Sequence, residues 1–362
     1  MKFLRLAFLI LLAGCSTGNP VFESHDLPVL ESEELRQADV EISGLNVSIQ
    51  IFDAGVSPES SIYVAAAQVR EVERRYLPYV LKQTLDRSGF WGAVRVLPKL
   101  DPSAEINVTA TIIESSGTEL SLHVGVTTAT GKVWLDGIYR DVTDHNDYGA
   151  DPDYVNDTFQ DIYSRIANDM SLQLLMQSGG ERQEIIDAAL MRYGLALSPD
   201  VFSRYIEMSG ADYVVTALPA HDDPMLLNLL RIRDSEYLFA DSVDAHYEKL
   251  YRTVGPTYSW WRFYSFELVS GNERLVDIDA TRGASKGSWY AMERTYKTFK
   301  EAKMNQDALR ELSESFERET AATTTEVSGS VVELAGSLVQ QYDTWRRILQ
   351  AMYGAATEMK KP

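Results

Sequence analysis

Three carboxylates on one face of a predicted helix are the best candidates for acid–base chemistry. Asp241, Asp244 and Glu248 follow one another at spacings of three and four residues, which bring side chains to the same side of an α-helix. Paired carboxylates act as general acid and base when burial separates their pKa values. Arg252 follows Glu248 by four residues, a spacing typical of a surface ion pair. The pattern favours a solvated helix face, and a catalytic pair stays the alternative.

The densest local signal is aromatic. Eight aromatic residues fall within positions 247–266, too many for one stripe of a helix. The pattern favours packing in the core and leaves open an exposed aromatic patch. Trp, Tyr and Arg most often anchor interfaces, and aromatic rings also stack on the sugars of peptidoglycan. The candidate contacts with a partner or a glycan are Tyr258, Trp260, Trp261, Arg262 and Tyr264.

Other candidate sites have weaker support. Residues 144–149 fit the first, third and sixth positions of a calcium loop, but Tyr148 and Val155 fall where a carboxylate or amide oxygen is required. A connector with Asx turns is therefore favoured. Ser285 lies in a glycine loop without a clear base, and nothing requires His221 or His246 to bind a metal. The sequence predicts no catalytic residue, no cofactor and no metal site.

The amino terminus has the pattern of an export signal. Lys2 and Arg5 form a basic start, and an apolar run at 6–12 leads to small residues before Cys15, the only cysteine of the 362-residue chain. The run is too short to cross a bilayer, which is typical of a secretory signal rather than a membrane span. No second apolar stretch of spanning length follows. Residues 1–14 are therefore the predicted signal peptide.

The tetrad Leu12-Ala13-Gly14-Cys15 resembles the lipobox of bacterial lipoproteins. The resemblance implies cleavage before Cys15 and acylation of its thiol and new amino terminus. Several acyl chains anchor a protein far more firmly than one. The next residue is Ser16 rather than Asp, and the resemblance to lipoprotein sorting in Gram-negative bacteria then implies the outer membrane, facing the periplasm. The alternative is an ordinary signal peptide with an accidental cysteine.

Composition narrows the choice of partners. The formal net charge is −19 and the hydrophobic content is 45%, which is ordinary for a folded protein. Nucleic acid is excluded as a partner because binding it requires basic patches that neutralise phosphates. The acidic balance also argues against adhesion to anionic lipid through overall charge.

The first half of the chain alternates between apolar and polar residues. Turns at Ser116-Gly117 and Thr130-Gly131 separate the later strands, which is typical of antiparallel hairpins with one wet face. Helices predicted at 62–88 and 154–177 would cover the dry face. After a lipidated tether at 15–39, residues 40–178 are thus a predicted α+β domain of order β-α-β-β-β-β-α, with helices on a mainly antiparallel sheet.

Strand alternation almost vanishes beyond Gly179-Gly180. A helix from 224 is expected to end at Gly255-Pro256, because proline interrupts a helix. Residues 181–362 are therefore a predicted all-α domain, an elongated helical bundle, with 213–217 interpreted as either strand or helix. The other predicted helices lie at 257–269, at 288–318, and from a Thr-rich link at 320–325 to 353.

The first domain also carries a family resemblance. A strand, a helix running into Leu85-Asp86-Arg87-Ser88-Gly89-Phe90-Trp91 and a strand at 93–97 are similar to those of periplasmic accessory lipoproteins. These include curli-secretion channel lipoproteins, the amino-terminal domain of the Tol system's propeller protein, and auxiliary lipoproteins of ABC-type transport systems. The resemblance covers 40–178 and implies action by contact with partners rather than by chemistry.

Together these patterns predict an outer-membrane lipoprotein, held by N-terminal acyl chains, that serves as a non-catalytic accessory or scaffold for envelope proteins. Peptidoglycan is a further candidate partner. One alternative is a cell-wall glycan hydrolase that uses the carboxylates of the helical half. Another is a carrier of lipid or a similar hydrophobic ligand, which would require a large apolar cavity.

Overall fold

The computed structural model describes residues 28–30, 32–39, 44–55, 64–143, 148, 157–281, 288–318, 323–327, 330–334 and 336–358. The signal peptide, Cys15, most of the loop at 144–149 and Ser285 lie outside these residues. The predictions about them stay predictions.

A five-stranded sheet with two helices forms the first half. The chain order is β-α-β-β-β-β-α, as predicted, and the strands lie in the order β2-β1-β3-β4-β5. One face of β4 is buried through Leu120, Leu122, Val124 and Val126 while His123 on the other face is exposed. The elements are β1 (Val47–Gln50), α1 (Val64–Ser88), β2 (Val94–Leu97), β3 (Ile106–Ser115), β4 (Glu119–Thr128), β5 (Val133–Val142) and α2 (Gln160–Met176).

The sheet is mixed, and its longer strand pairs are antiparallel, as predicted. Strands β3, β4 and β5 form the predicted antiparallel hairpins, but β1 pairs in parallel with both β2 and β3. The reason is the long connection through α1, because parallel neighbours need a crossover, usually a helix. Alternation along a strand reveals its buried face but carries no information about the direction of its neighbour.

The second half is mainly helical, as predicted, with two small hairpins. Helix α3 begins at a capping box in which Ser178 and Glu181 bind each other's backbone N–H groups. Within the described residues, no helix combines the length and apolarity needed to cross a membrane. The elements are α3 (Gly179–Leu197), α4 (Pro199–Phe202), β6 (Ile206–Ser209), β7 (Asp212–Val215), α5 (Pro224–Thr281), α6 (Ser288–Arg318), β8 (Thr323–Val327), β9 (Ser330–Leu334) and α7 (Leu338–Glu358).

Two details of the helical prediction are wrong. Helix α5 does not stop at Gly255-Pro256 but continues to Thr281, and its total length is 58 residues. Proline removes one backbone hydrogen bond, and the burial of Val254 and Tyr258 on either side holds the helix together. The Thr-rich link and the expected start of the last helix instead form the hairpin β8–β9, where β-branched residues favour strands.

The predicted domains share one core. Buried apolar residues from 40–178 and from 181–362 belong to a single cluster. Helix α5 packs along α1, where the Tyr76 ring lies 5.0 Å from Tyr251 and 4.6 Å from Tyr258. Among the described residues, the boundary expected near residue 180 is thus not marked by a gap between two cores.

Part of the predicted tether lies on this core. The Glu33 N–H donates to Asp161 Oδ1 at 3.1 Å, and the Arg36 N–H donates to Asn168 Oδ1 at 2.7 Å. Both acceptors belong to α2, so residues 32–39 follow that helix. The segment around residues 33–36 is therefore not a free tether.

Candidate functional site

The five predicted contact residues divide between core and surface. Tyr258 and Arg262 are 1% and 2% exposed, whereas Trp260, Trp261 and Tyr264 are half-buried. The Trp261 ring stacks on Tyr258 at 5.7 Å and packs against the core. Of the five, Trp260 and Tyr264 are the ones that a partner could reach without disturbing the core.

The exposed part of the cluster is continuous. Trp260 stacks on Tyr264 with ring centres 5.6 Å apart and meets Phe263 edge-on at 5.9 Å. Phe263, which was not among the predicted contacts, is also half-buried. Trp260, Phe263 and Tyr264 form what we call the aromatic surface of α5. Neighbouring rings already hold one another in place, so little side-chain entropy is left to lose when a partner binds.

Arg262 belongs to a buried network that joins α5 to α1 and to the turn between β3 and β4. Its Nη1 donates to the Ser116 carbonyl at 2.8 Å, and its Nε donates to the Tyr258 hydroxyl at 2.8 Å. The Tyr258 hydroxyl donates to Glu73 Oε1 at 2.8 Å, and Ser115 Oγ donates to the same oxygen at 2.5 Å. The guanidinium is thus held inside the protein and is not available to a partner.

The charges of this network balance one another. Arg262 Nη2 lies 3.6 Å from Glu73 Oε1, and the Arg262 guanidinium carbon stands 4.5 Å from the centre of the Phe159 ring. Burial alone would lower the pKa of Arg262, but the groups around it, among them Tyr258, Glu73 and Asp157, raise it. Burial raises the pKa of Asp157, against the effect of Arg262. Perturbed groups often mark active sites, but Arg262 is buried together with Tyr258 and Glu73, and its hydrogen bonds join elements of the fold.

The three carboxylates proposed for acid–base chemistry do not converge. Asp244 and Lys82 together form hydrogen bonds with backbone groups on the free edge of β2. The Val96 N–H donates to Asp244 Oδ1 at 2.7 Å, Lys82 Nζ donates to the Val94 carbonyl at 2.6 Å, and Lys82 lies 3.4 Å from Asp244. An uncovered strand edge invites pairing with other chains. Asp244 therefore anchors α5 along that edge.

The two other carboxylates also pair with basic residues. Asp241 accepts from Arg95 Nε at 2.6 Å, a contact that likewise joins α5 to β2. Glu248 pairs with Arg252 on the surface of α5, as its spacing predicted. Each carboxylate thus has its own cation, and the arrangement lacks the free, facing pair of acids that glycan hydrolysis requires.

A second buried polar cluster was not anticipated from the sequence. Glu236 on α5 is 1% exposed and accepts from the Tyr193 hydroxyl at 3.2 Å. Arg346 on α7 lies 3.8 Å from Glu236 and 4.0 Å from Asp101. Burial raises the pKa of Glu236 to about 7. The cluster joins α3, α5 and α7 to the loop before β3, and no local pattern could have identified it.

Two surface grooves have charged walls. One, of about 610 Å³, lies among residues that include Glu33, Arg165 and Asp169. The other, of about 620 Å³, lies between α3 and the hairpin β6–β7 and includes Lys132 and Asp187 in its lining. A lipid carrier needs a large apolar cavity; the first groove is not of that kind, whereas the second also has Tyr213, Val214 and Leu218 in its lining.

Neither a metal-binding group among the described residues nor a known relative assigns a function to this site. Within the part of the chain that the structure describes, no group of three or more His, Cys, Asp or Glu side chains could hold a metal ion. Comparisons with known protein families, with curated proteins and with solved structures find no match for this chain. The resemblance of residues 40–178 to periplasmic accessory lipoproteins therefore stays a prediction.

Proposed function

We propose that this protein is a lipid-anchored accessory protein of the outer membrane, facing the periplasm, that binds an envelope protein through the aromatic surface of α5. The observation that carries the proposal is that charged side chains of the site are buried while neighbouring aromatic side chains remain partly exposed. Buried charges such as Arg262 and Glu73 join the two halves of the fold, while Trp260, Phe263 and Tyr264 retain exposed area. Aromatic residues of this kind anchor interfaces.

The acyl anchor rests on Leu12-Ala13-Gly14-Cys15, and its test is direct. Cells that express the protein are labelled with radioactive palmitate. We expect the label to enter the wild-type chain and to be lost in Cys15→Ser, and we expect high salt to release the mature Cys15→Ser chain, but not the acylated one, from the membrane fraction. A wild-type chain that takes up no label, or a Cys15→Ser chain that is labelled equally, would refute the anchor.

Partner binding is tested by photo-crosslinking in the cell. A photoreactive phenylalanine analogue is placed at position 260, 263 or 264 and, as a matched control, at Leu238, which lies on the same helix and is 65% exposed. We expect one envelope protein to be captured from the three aromatic positions and not from 238. Equal capture from all four positions, or none from the aromatic ones, would contradict the proposal. Capture of peptidoglycan fragments instead would show that the partner is a glycan rather than a protein.

A further inference from the structure

The first half of α6 presents an exposed face whose composition differs from that of the whole protein. Tyr296, Phe299 and Met304 are 68%, 56% and 56% exposed. Lys297, Lys300 and Lys303 are exposed between them, whereas Glu301, the one acidic residue from 296 to 304, is half-buried and acts on Tyr264 of α5. We call these six residues the basic face of α6. A local cationic and apolar surface on a chain of net charge −19 points to an anionic, partly apolar partner.

The charges of this face are only partly neutralised. Lys303 lies 3.3 Å from Asp307, both on the surface. Within the described part of the chain, no ion pair is made by Lys297 or Lys300. At 0.1 M salt, charges more than about 10 Å away are largely screened. The basic face therefore acts on a nearby surface through its own lysines and not through the net charge of the protein.

We propose that the basic face of α6 is a membrane-contact surface that lies on a bilayer containing anionic phospholipid. Tyr and Phe favour the interface between water and hydrocarbon. Lysine stems lie along apolar surface while their ammonium groups stay at the headgroups. Amphipathic helices with basic and aromatic residues bind membranes in this manner, by apolar burial and electrostatic attraction to anionic lipid.

The start of the described chain lies near this face, so an acyl anchor at Cys15 would be within reach of it. The Leu30 N–H donates to the Arg140 carbonyl in β5, close to the strand end at Val142. The turn beside that end packs on α5, because a Cβ on Gly117 would stand 2.1 Å from the Phe266 nitrogen. Burial raises the pKa of Tyr264, two residues before Phe266, and the carboxylate of Glu301 on α6 lies near enough to raise it further. The described chain thus begins near the part of α5 that packs on α6.

The acyl anchor would reinforce the contact. Residues 15–27 span at most about 45 Å when fully extended, so chains attached at Cys15 would hold the bilayer near α6 and raise its effective concentration. This reinforcement rests on the proposed acylation, but the contact itself does not. The experiment therefore uses the mature chain without acyl groups.

The mature chain carrying Cys15→Ser contains no cysteine, so a single label can be placed at will. Phe299→Cys and, as the control, Leu238→Cys are labelled with a polarity-sensitive fluorophore. They are mixed with vesicles of phosphatidylethanolamine and phosphatidylglycerol, or of phosphatidylcholine alone. We expect a blue shift at 299 with phosphatidylglycerol only, and none at 238. A shift at 299 that grows with protein concentration in the absence of vesicles would overturn the proposal in favour of a second copy of the chain.

Charge variants measure the contribution of the lysines. Each lysine near an anionic surface contributes about fivefold to binding, so Lys297→Glu/Lys300→Glu is expected to weaken vesicle binding by about 25-fold or more. Lys132→Glu/Lys249→Glu changes two other exposed lysines and the net charge equally, and should weaken it less than about threefold. Equal losses in the two variants, or no binding by the parent chain, would refute the contact. Neither outcome bears on palmitate labelling or on crosslinking through α5.

Discussion

Replacement of Glu236 by Gln is expected to stabilise the protein by an amount that grows with pH. Glu236 is buried, and burial raises the pKa of its carboxyl group to about 7, with Arg346 acting in the opposite direction and Asp101 adding to the rise. Gln has the shape of the protonated acid and keeps an acceptor for the Tyr193 hydroxyl, which donates to Glu236 at 3.2 Å. The variant therefore resembles the protonated wild-type protein at every pH.

The sign of the effect follows from the two pKa values of Glu236. In the unfolded chain the carboxyl group titrates near its ordinary value of 4.5, and in the folded protein near 7. Between these values the folded protein holds a proton that the unfolded chain has released, so the free energy of unfolding falls as pH rises. At about 1.4 kcal/mol per pKa unit, the loss approaches about 3 kcal/mol above pH 7. Glu236→Gln should thus exceed wild type by about 1 kcal/mol at pH 5 and by about 3 kcal/mol at pH 8.

Urea unfolding at pH 5 and at pH 8, followed by tryptophan fluorescence, measures this difference. Glu248→Gln is the control, since Glu248 pairs with Arg252 on the surface and such pairs contribute about 0.5 kcal/mol. The control should shift little between the two pH values. The reasoning fails if Glu236→Gln changes stability equally at pH 5 and pH 8. It also fails if the variant is less stable than wild type at pH 8, since Glu236 would then be an ionised partner of Arg346.

Two further predictions concern the contact between α5 and the sheet. Gly117→Ala should cost about 2 kcal/mol and lower Tm, because its Cβ would stand 2.1 Å from the Phe266 nitrogen; Gly137→Ala, with nothing within 4 Å, should leave Tm nearly unchanged, and equal shifts would contradict the packing. Arg262→Met removes one of the two cations beside buried Glu73, the other being Arg70, whose Nε lies 3.6 Å from Glu73 Oε2, and should cost about 3 kcal/mol in urea unfolding. Adding Glu73→Gln should recover part of that loss. A loss below about 1 kcal/mol in the single variant would show that Glu73 does not need Arg262 to offset the cost of burying its charge.

The sequence was a good guide to elements whose pattern records a buried face. Strands β3 and β4 alternate because one side of each lies on the core, and that alternation is visible in residues such as Val108 and Val124. The continuity of α5 through Pro256 could not be predicted from the local sequence pattern. It depends on packing against α1, a helix distant in sequence, and local propensity alone favours a break.

The candidate site shows the same limit more sharply. Tyr258, Arg262 and Phe266 recur every fourth residue and are all buried, so helical spacing alone could have placed Arg262 on the inner face. Arginine is rarely buried without a partner, and its partner Glu73 belongs to another helix. The Tyr258 hydroxyl reaches that glutamate across a separation of 185 positions. Spacing can thus identify which face is inward, but it cannot identify a charge that compensates from far along the chain.

The position of the buried charges bears on how such a protein can act. Domains in one chain are expected to move relative to one another unless their interface is large and apolar. Here the halves share one core, and ion pairs such as Glu73–Arg262 and Lys82–Asp244 cross between them. Opening a cleft between the halves would expose apolar side chains of this shared core to water, which costs about 25 cal/mol for each Å² exposed. A ligand site between them is therefore disfavoured, and contact through outer surfaces such as the aromatic surface of α5 is the mode of action that this arrangement supports.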